Sequence, residues 1–204
     1  MKHYKLLAGF IALAVTFAFF LGSGGLRGTI GTPHIGLVSV SAEQEEMLDL
    51  FARAGKEILI FDYHTRNQFT QLEVWVEIYH YGELIEQGGG ISMGGEPLES
   101  GRFFVMRDQA VWGAMPQEFQ WTFFTEYATF QGQSWVMEGE KPLGRGWGPM
   151  EGTRPIADGE EIVLHATRFS SQGLRTFFDL QQYLIPENRE DLTYLHLIVA
   201  RFSA

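Results

Sequence analysis

Cysteine is absent from the 204 residues, which excludes disulfide staples, thiol catalysis and attachment of a lipid to an N-terminal cysteine. Positive charge is scarce: 15 Lys and Arg stand against 25 Asp and Glu, a formal charge of −10. Lys2, Lys5 and Arg27 are the only charged residues before Glu43, so the rest of the chain keeps 12 basic and all 25 acidic residues, a charge of −13. Phosphate backbones repel such a surface, which argues against a nucleic-acid partner, and an anionic lipid surface is within reach only of the N-terminal lysines. Long helical periodicity is also missing, and with it the strand–helix alternation of a βαβ fold. There is no internal repeat and no low-complexity tract.

What the sequence does have begins with one apolar run. Lys2 and Lys5 precede LLAGFIALAVTFAFFL, Leu6 to Leu21, and the small, polar Gly22-Ser23-Gly24-Gly25 follows. At about 16 residues the run lies between a signal-peptide core and a bilayer span. Gly22-Ser23-Gly24 is a fair cleavage match and Val40-Ser41-Ala42 a better one placed far downstream, so a retained anchor and a cleaved signal both remain open. The lysines place the N-terminus in the cytoplasm and the rest outside. The expected organisation is therefore an anchor or signal over 1–25, a linker over 26–42 and an extracytoplasmic domain over 43–204. Its expected location is the cell membrane with that domain outside, or the exterior after cleavage.

Helix signals bracket the start of that domain. Ser41 and Gln44 form a capping-box pattern, Glu43, Glu45 and Glu46 suit the positive end of a helix dipole, and Gly55 follows the last apolar position. Met47, Leu50, Phe51 and Ala54 fall at helical spacing and predict an apolar stripe packed on the domain. Beyond Gly55 the period becomes two. Glu57 to Tyr63 reads as a core strand, and Gln71 to Tyr81 places Leu72, Val74, Val76 and Ile78 on one face and Glu73, Trp75, Glu77 and Tyr79 on the other. Tyr81-Gly82-Glu83 is a turn signal, with Leu84 to Met93 returning as hairpin partner. Further strands are expected over 102–107, 119–127, 133–138, 161–169, 174–180 and 193–202. The expectation is a mainly-β, antiparallel sandwich of jelly-roll or immunoglobulin-like kind, preceded by a short amphipathic helix and the N-terminal membrane or signal helix. Gly139 to Gly159, rich in glycine and proline, is read as a long loop and the first place to seek a binding surface.

Several constellations bear on chemistry. Gly90-Ile91-Ser92-Met93-Gly94 matches the G-x-S-x-G nucleophile elbow, with Asp179 and His196 following in hydrolase order. The motif needs a strand before the serine and a helix after it, whereas Gly95-Glu96-Pro97 begins a turn. Ser92 therefore stands as a candidate nucleophile against the plainer reading of a glycine-rich strand end. Asp62 and His64, with Glu77 or His80, could face a metal, but no H-x-x-x-H pattern supports them, and no metal or other cofactor is expected. Glu73 and Glu77 lie about 13 Å apart along a strand, too far for the roughly 5–9.5 Å of a glycosidase pair.

Aromatics are plentiful, with five Trp, seven Tyr and 17 Phe. Trp75, Tyr79 and Tyr81 lie on the glutamate side of their strand, and Trp147 stands beside Arg145 in the expected loop. Exposed aromatic rings near polar groups stack on sugars, so these five residues are the expected ligand contacts; the alternative is that a second layer covers them.

Phe61-Asp62-Tyr63, Val74-Trp75-Val76-Glu77-Ile78-Tyr79 and Tyr81-Gly82-Glu83-Leu84 together resemble a pattern in small exported or membrane-anchored β-domain proteins of Gram-positive bacteria that have no assigned function. The resemblance spans two strands, implies an extracytoplasmic β-domain and carries over no catalytic residue. The functional expectation is a non-enzymatic surface-binding domain for a protein or a wall polysaccharide. A wall-directed hydrolase and a structural subunit of a membrane complex are the alternatives.

Overall fold

The computed structural model describes residues 32–108, 117–125, 129–137, 144–172 and 179–204. The apolar run at 6–21 lies outside them; among the described residues no helix is long and apolar enough to cross a membrane. The elements are β1 (His34–Leu37), α1 (Ala42–Arg53), β2 (Lys56–His80), β3 (Glu83–Asp108), β4 (Gln117–Thr125), β5 (Thr129–Met137), β6 (Gly144–Pro149), β7 (Thr153–Pro155), β8 (Glu161–Ser170) and β9 (Tyr194–Ser203). Two 3₁₀ turns, Leu180–Leu184 and Pro186–Asn188, lie between β8 and β9. All strands belong to one antiparallel sheet ordered β5-β4-β3-β2-β9-β8-β6, with β1 pairing β2 and β7.

The long β2–β3 hairpin organises the sheet. Tyr81 and Gly82 both have positive φ, 47° and 81°, and form the two-residue turn whose twist matches the flanking strands. The hairpin bends partway along, where Arg66 and Asn67 adopt positive φ and the register slips between His64 and Gln71. Thr65 ties the bend by donating to the carbonyls of Leu98 and Glu99. On one side of the bend β2 pairs with the end of β3 and with β1; on the other it pairs with the start of β3 and with β9.

The sheet thus curls over, and its two halves share a core. Tyr63 and Phe69 both pack edge-on against Phe202, at 5.6 and 5.9 Å between ring centres, and Phe61 stacks on Phe103 at 5.3 Å. Each fully buried aromatic or aliphatic side chain here contributes about 1.5–3 kcal/mol.

Two covers close the outer faces. α1 lies over Ile60, Phe104 and Phe124, begun by the expected capping box: Ser41 Oγ accepts from Gln44 N, and Gln44 Oε1 accepts from Ser41 N at 2.8 Å. The expected stripe needs correction. Leu50 is 64% exposed and Ala54 is exposed, while Gln44 is buried and Leu48 packs inward. The packed face instead joins Gln44 and Leu48 to Met47 and Phe51, which stay half-buried as the stripe expected. The second cover is the strap 179–193, whose Tyr183 and Leu192 pack on Trp75, Tyr79, Leu195 and Leu197.

The mainly-β antiparallel reading with one short helix agrees with this architecture. Three local expectations change. His34–Leu37, within the expected linker, is a strand. The expected loop at 139–159 contains β6 and β7, since glycine and proline are tolerated at a sheet edge; its residues 139–143 lie outside the described residues. Leu180, expected to end a strand, opens a 3₁₀ turn, and 174–178 lie outside the described residues.

Candidate functional site

The expected aromatic contact face is divided. Trp75 and Tyr79 are 8% and 6% exposed, covered by the strap. They serve a buried carboxylate instead: Trp75 Nε1 donates to Glu77 Oε1 at 2.9 Å, and the Tyr79 hydroxyl donates to Glu77 Oε2 at 2.6 Å. Burial, then the neighbouring Glu77, raises the Tyr79 pKa above its ordinary value, so the hydroxyl stays a donor. Arg189 lies 4.3 Å over the Tyr79 ring, and Arg201 lies 5.3 Å over Trp75 while donating to Glu73 at 2.7 Å. Glu73 and Glu77 are thus both engaged within the fold. Tyr81 is exposed at the hairpin tip, its ring tilted against His80 at 4.7 Å.

The elbow reading of Ser92 is also corrected. Ser92 is exposed in the middle of β3, opposite Glu73, and the strand runs on to Asp108 with no helix behind the serine. The strand–turn–helix that would expose and activate the hydroxyl is missing. Asp62 is held by two nitrogens of Arg102, and His80 stacks on Tyr194 at 4.5 Å, well along β2 from Asp62. Among the described residues no three His, Asp or Glu side chains are arranged around a metal position.

Arg145 and Trp147 lie together on the edge strand β6. Their opposite partners on β8 are Phe169 and Thr167, and Pro149 is opposite His165. Directly opposed residues of a sheet point to the same side, so Arg145 and Trp147 extend the inner, concave face to its open edge. Arg145 is half-buried, 5.1 Å from the Trp147 ring and 5.8 Å from Phe169, and Trp147 is 50% exposed.

Behind this edge the core turns polar. Glu57 follows the inward phase of Leu59 and Phe61, Arg107 that of Phe103 and Val105, and His196 that of Ile198. A register shift between Val163 and His165 brings His165 opposite Ile198 on the inner face. Arg107, 1% exposed, pairs with Glu57, donates to Thr167 Oγ1 and lies 5.5 Å over the Trp121 ring. Trp121 meets His165 edge-on at 5.9 Å. These contacts join β2, β3 and β4 of one half of the sheet to β8 of the other.

Burial and the surrounding cations set the charge state of the cluster. His165 is pushed well below its usual pKa by burial, then by Arg107, His196, Arg145 and Arg168. His196 is pushed down to about 3 by burial, Arg107 and Arg145. Both imidazoles are therefore neutral, and the 3.9 Å approach of His165 Nε2 to Glu57 is a dipolar contact and not an ion pair. Arg107 and Arg145 are lowered by burial too, and Arg107 further lowers Arg145, which places the two guanidiniums within each other's field.

Sequence reasoning named Arg145 and Trp147 but missed the cluster behind them. Its signal was present: Glu57, Arg107 and His196 each interrupt an apolar strand face in phase. Comparison of the chain with protein-family models, curated proteins and solved structures gave no match.

Proposed function

We propose that this chain is a non-enzymatic, extracytoplasmic binding domain for wall polysaccharide, delivered or tethered by the segment at 6–21. The curled sheet serves as a sandwich-type scaffold with the ligand at its β6 edge. The observation that carries the reading is Trp147, half exposed on an edge strand, flanked by Gly146 and Gly148 and braced by Arg145. A rigid indole beside a guanidinium is a stacking platform for a sugar ring with a donor at its rim. Small flanking residues leave room for a bulky polymer; a Cβ added at Gly148 would meet nothing within 4 Å.

The hydrolase alternative has no geometric support at Ser92. A protein ligand is favoured by a different feature, the hairpin tip where Tyr81, Leu84 and Ile85 are 53%, 49% and 48% exposed. The two readings separate on one measurement. In co-sedimentation with insoluble Gram-positive wall polysaccharide, Trp147→Ala is expected to weaken retention about tenfold, near 1.4 kcal/mol. Tyr81→Ala is expected to leave it unchanged. Equal retention of wild type and Trp147→Ala would overturn the polysaccharide reading.

A further inference from the structure

Behind Trp147 the inner face carries more hydrogen-bonding capacity than the protein uses. Trp121 Nε1, Arg107 Nε and both ring nitrogens of His165 have no hydrogen-bond partner among the described residues. Yet these three residues are only 1%, 1% and 0% exposed. An unpaired buried polar group is costly, and native proteins carry few of them. Here they are gathered around one indole, with Arg107 Cζ at 5.5 Å and the His165 ring at 5.9 Å.

The orphaned atoms specify what would satisfy them. Trp121 and Arg107 offer only N–H donors; a neutral imidazole offers one donor and one acceptor. Donors predominate, so the complementary group is rich in acceptors. Charge points the same way: Arg107 and Arg145 both bear on His165 from the inner face, against the one carboxylate of Glu57, which is already paired with Arg107. A cation would meet two guanidiniums. A carboxylate accepts from several N–H groups at once through charge-assisted bonds of roughly twice the ordinary strength.

We infer that Arg107, Trp121 and His165 form a subsite for a carboxylate carried by the sugar that stacks on Trp147. The sugar half rests on the function proposed above, whereas the carboxylate half stands on the unpaired donors. Thr167, opposite Trp147 in the sheet and bonded to Arg107, joins the two positions. The polymer selected is thus one with acidic sugars, of the uronic-acid class.

The test follows indole N–H resonances of the full-length, ¹⁵N-labelled chain at constant ionic strength, assigned by single Trp→Phe variants. The probes are glucuronate, glucose and formate. Glucuronate is expected to move the Trp147 and Trp121 signals, glucose that of Trp147 alone, and formate that of Trp121 alone. Trp121→Phe keeps a ring but removes the N–H, and should weaken glucuronate about tenfold while leaving glucose unchanged. A Trp121 signal unmoved by glucuronate and formate, or equal glucuronate affinity in Trp121→Phe, overturns the carboxylate subsite even if glucose still moves Trp147. Formate moving Trp121 while neither sugar moves Trp147 supports the carboxylate subsite and removes the sugar.

Discussion

Gly90 has φ of +115°, and a Cβ built on it would stand 1.8 Å from the carbonyl oxygen of Val74. It sits where the β2–β3 register slips between Val74 and Val76, so the backbone closes on its neighbour strand at a place only glycine fits. Gly90→Ala combines a disfavoured backbone region with a clash against main chain, and the expected loss is roughly 3–5 kcal/mol. Chemical denaturation compared with Gly95→Ala would check this. Gly95 has φ of +111° but open space around it, so it isolates the conformational part alone. Similar losses at the two positions would show that the close approach does not matter. The same glycine belongs to the G-x-S-x-G pattern around Ser92. The local sequence is explained by strand geometry, which is why a motif for catalysis could be read there without a catalytic setting.

At the scale of elements, the strap over residues 179–193 decides the fate of the aromatic face. Gln181 imitates a strand neighbour, accepting from Val163 N and donating to Val163 O, both at 2.9 Å. Arg189 holds the turn by donating to the carbonyls of Tyr183 and Leu184 while lying over Tyr79. Arg189→Ala is expected to cost about 2 kcal/mol, from two charge-assisted bonds and a ring contact less the guanidinium's return to water. It should also raise acrylamide quenching of Trp75, measured in a background where the other four tryptophans are Phe. A strap that stayed closed, with Trp75 quenching unchanged, would show that Tyr183 and Leu192 suffice to hold it.

Legibility followed the same division. The alternation of Leu72, Val74, Val76 and Ile78 gave the inner face of β2, and Ser41 with Gln44 gave the start of α1, because both signals are local. Whether Trp75 and Tyr79 faced water depended on a segment more than 100 residues further along, whose own sequence reads as irregular. β6 and β7 were hidden because glycine and proline usually mark loops, and only a neighbouring strand makes them an edge. Arg145 and Trp147 were found by residue type, but their adjacency to His165 arises from the pairing of β6 with β8, and to Arg107 from the curl of the sheet.

The whole molecule should register its polar core as acid sensitivity. His165 and His196 are fully shielded from solvent, and both have folded-state pKa values below the unfolded value near 6.5. Above that value neither state takes up a proton, and stability is fully present. As pH falls below it, the unfolded chain binds protons that the folded chain refuses, so stability is lost progressively toward the folded value, about 3 for His196. The greatest slope is about 1.4 kcal/mol per pH unit for each histidine, so His196 contributes roughly 2 kcal/mol between pH 6.5 and 4.5, and His165 adds to it in the same direction. Asp179, whose carboxyl Arg154 holds below its usual pKa, contributes mainly nearer pH 4 and below, so it does not confuse that window. Urea unfolding from pH 7.5 to 4.5 would measure the slope. His196→Gln, which removes the titrating group in both states, should lower it by up to about 1.4 kcal/mol per pH unit whatever the variant does to stability at neutral pH. An unchanged slope would mean that His196 takes up its proton in the folded protein as readily as in the unfolded one. The loss should also begin at the polar end of the core, because protonation places new positive charge beside Arg107 and Arg145. Hydrogen exchange at pH 5 is therefore expected to release the amides around Arg107 and Thr167 before those around Phe61 and Phe202, at the opposite, apolar part of the same sheet.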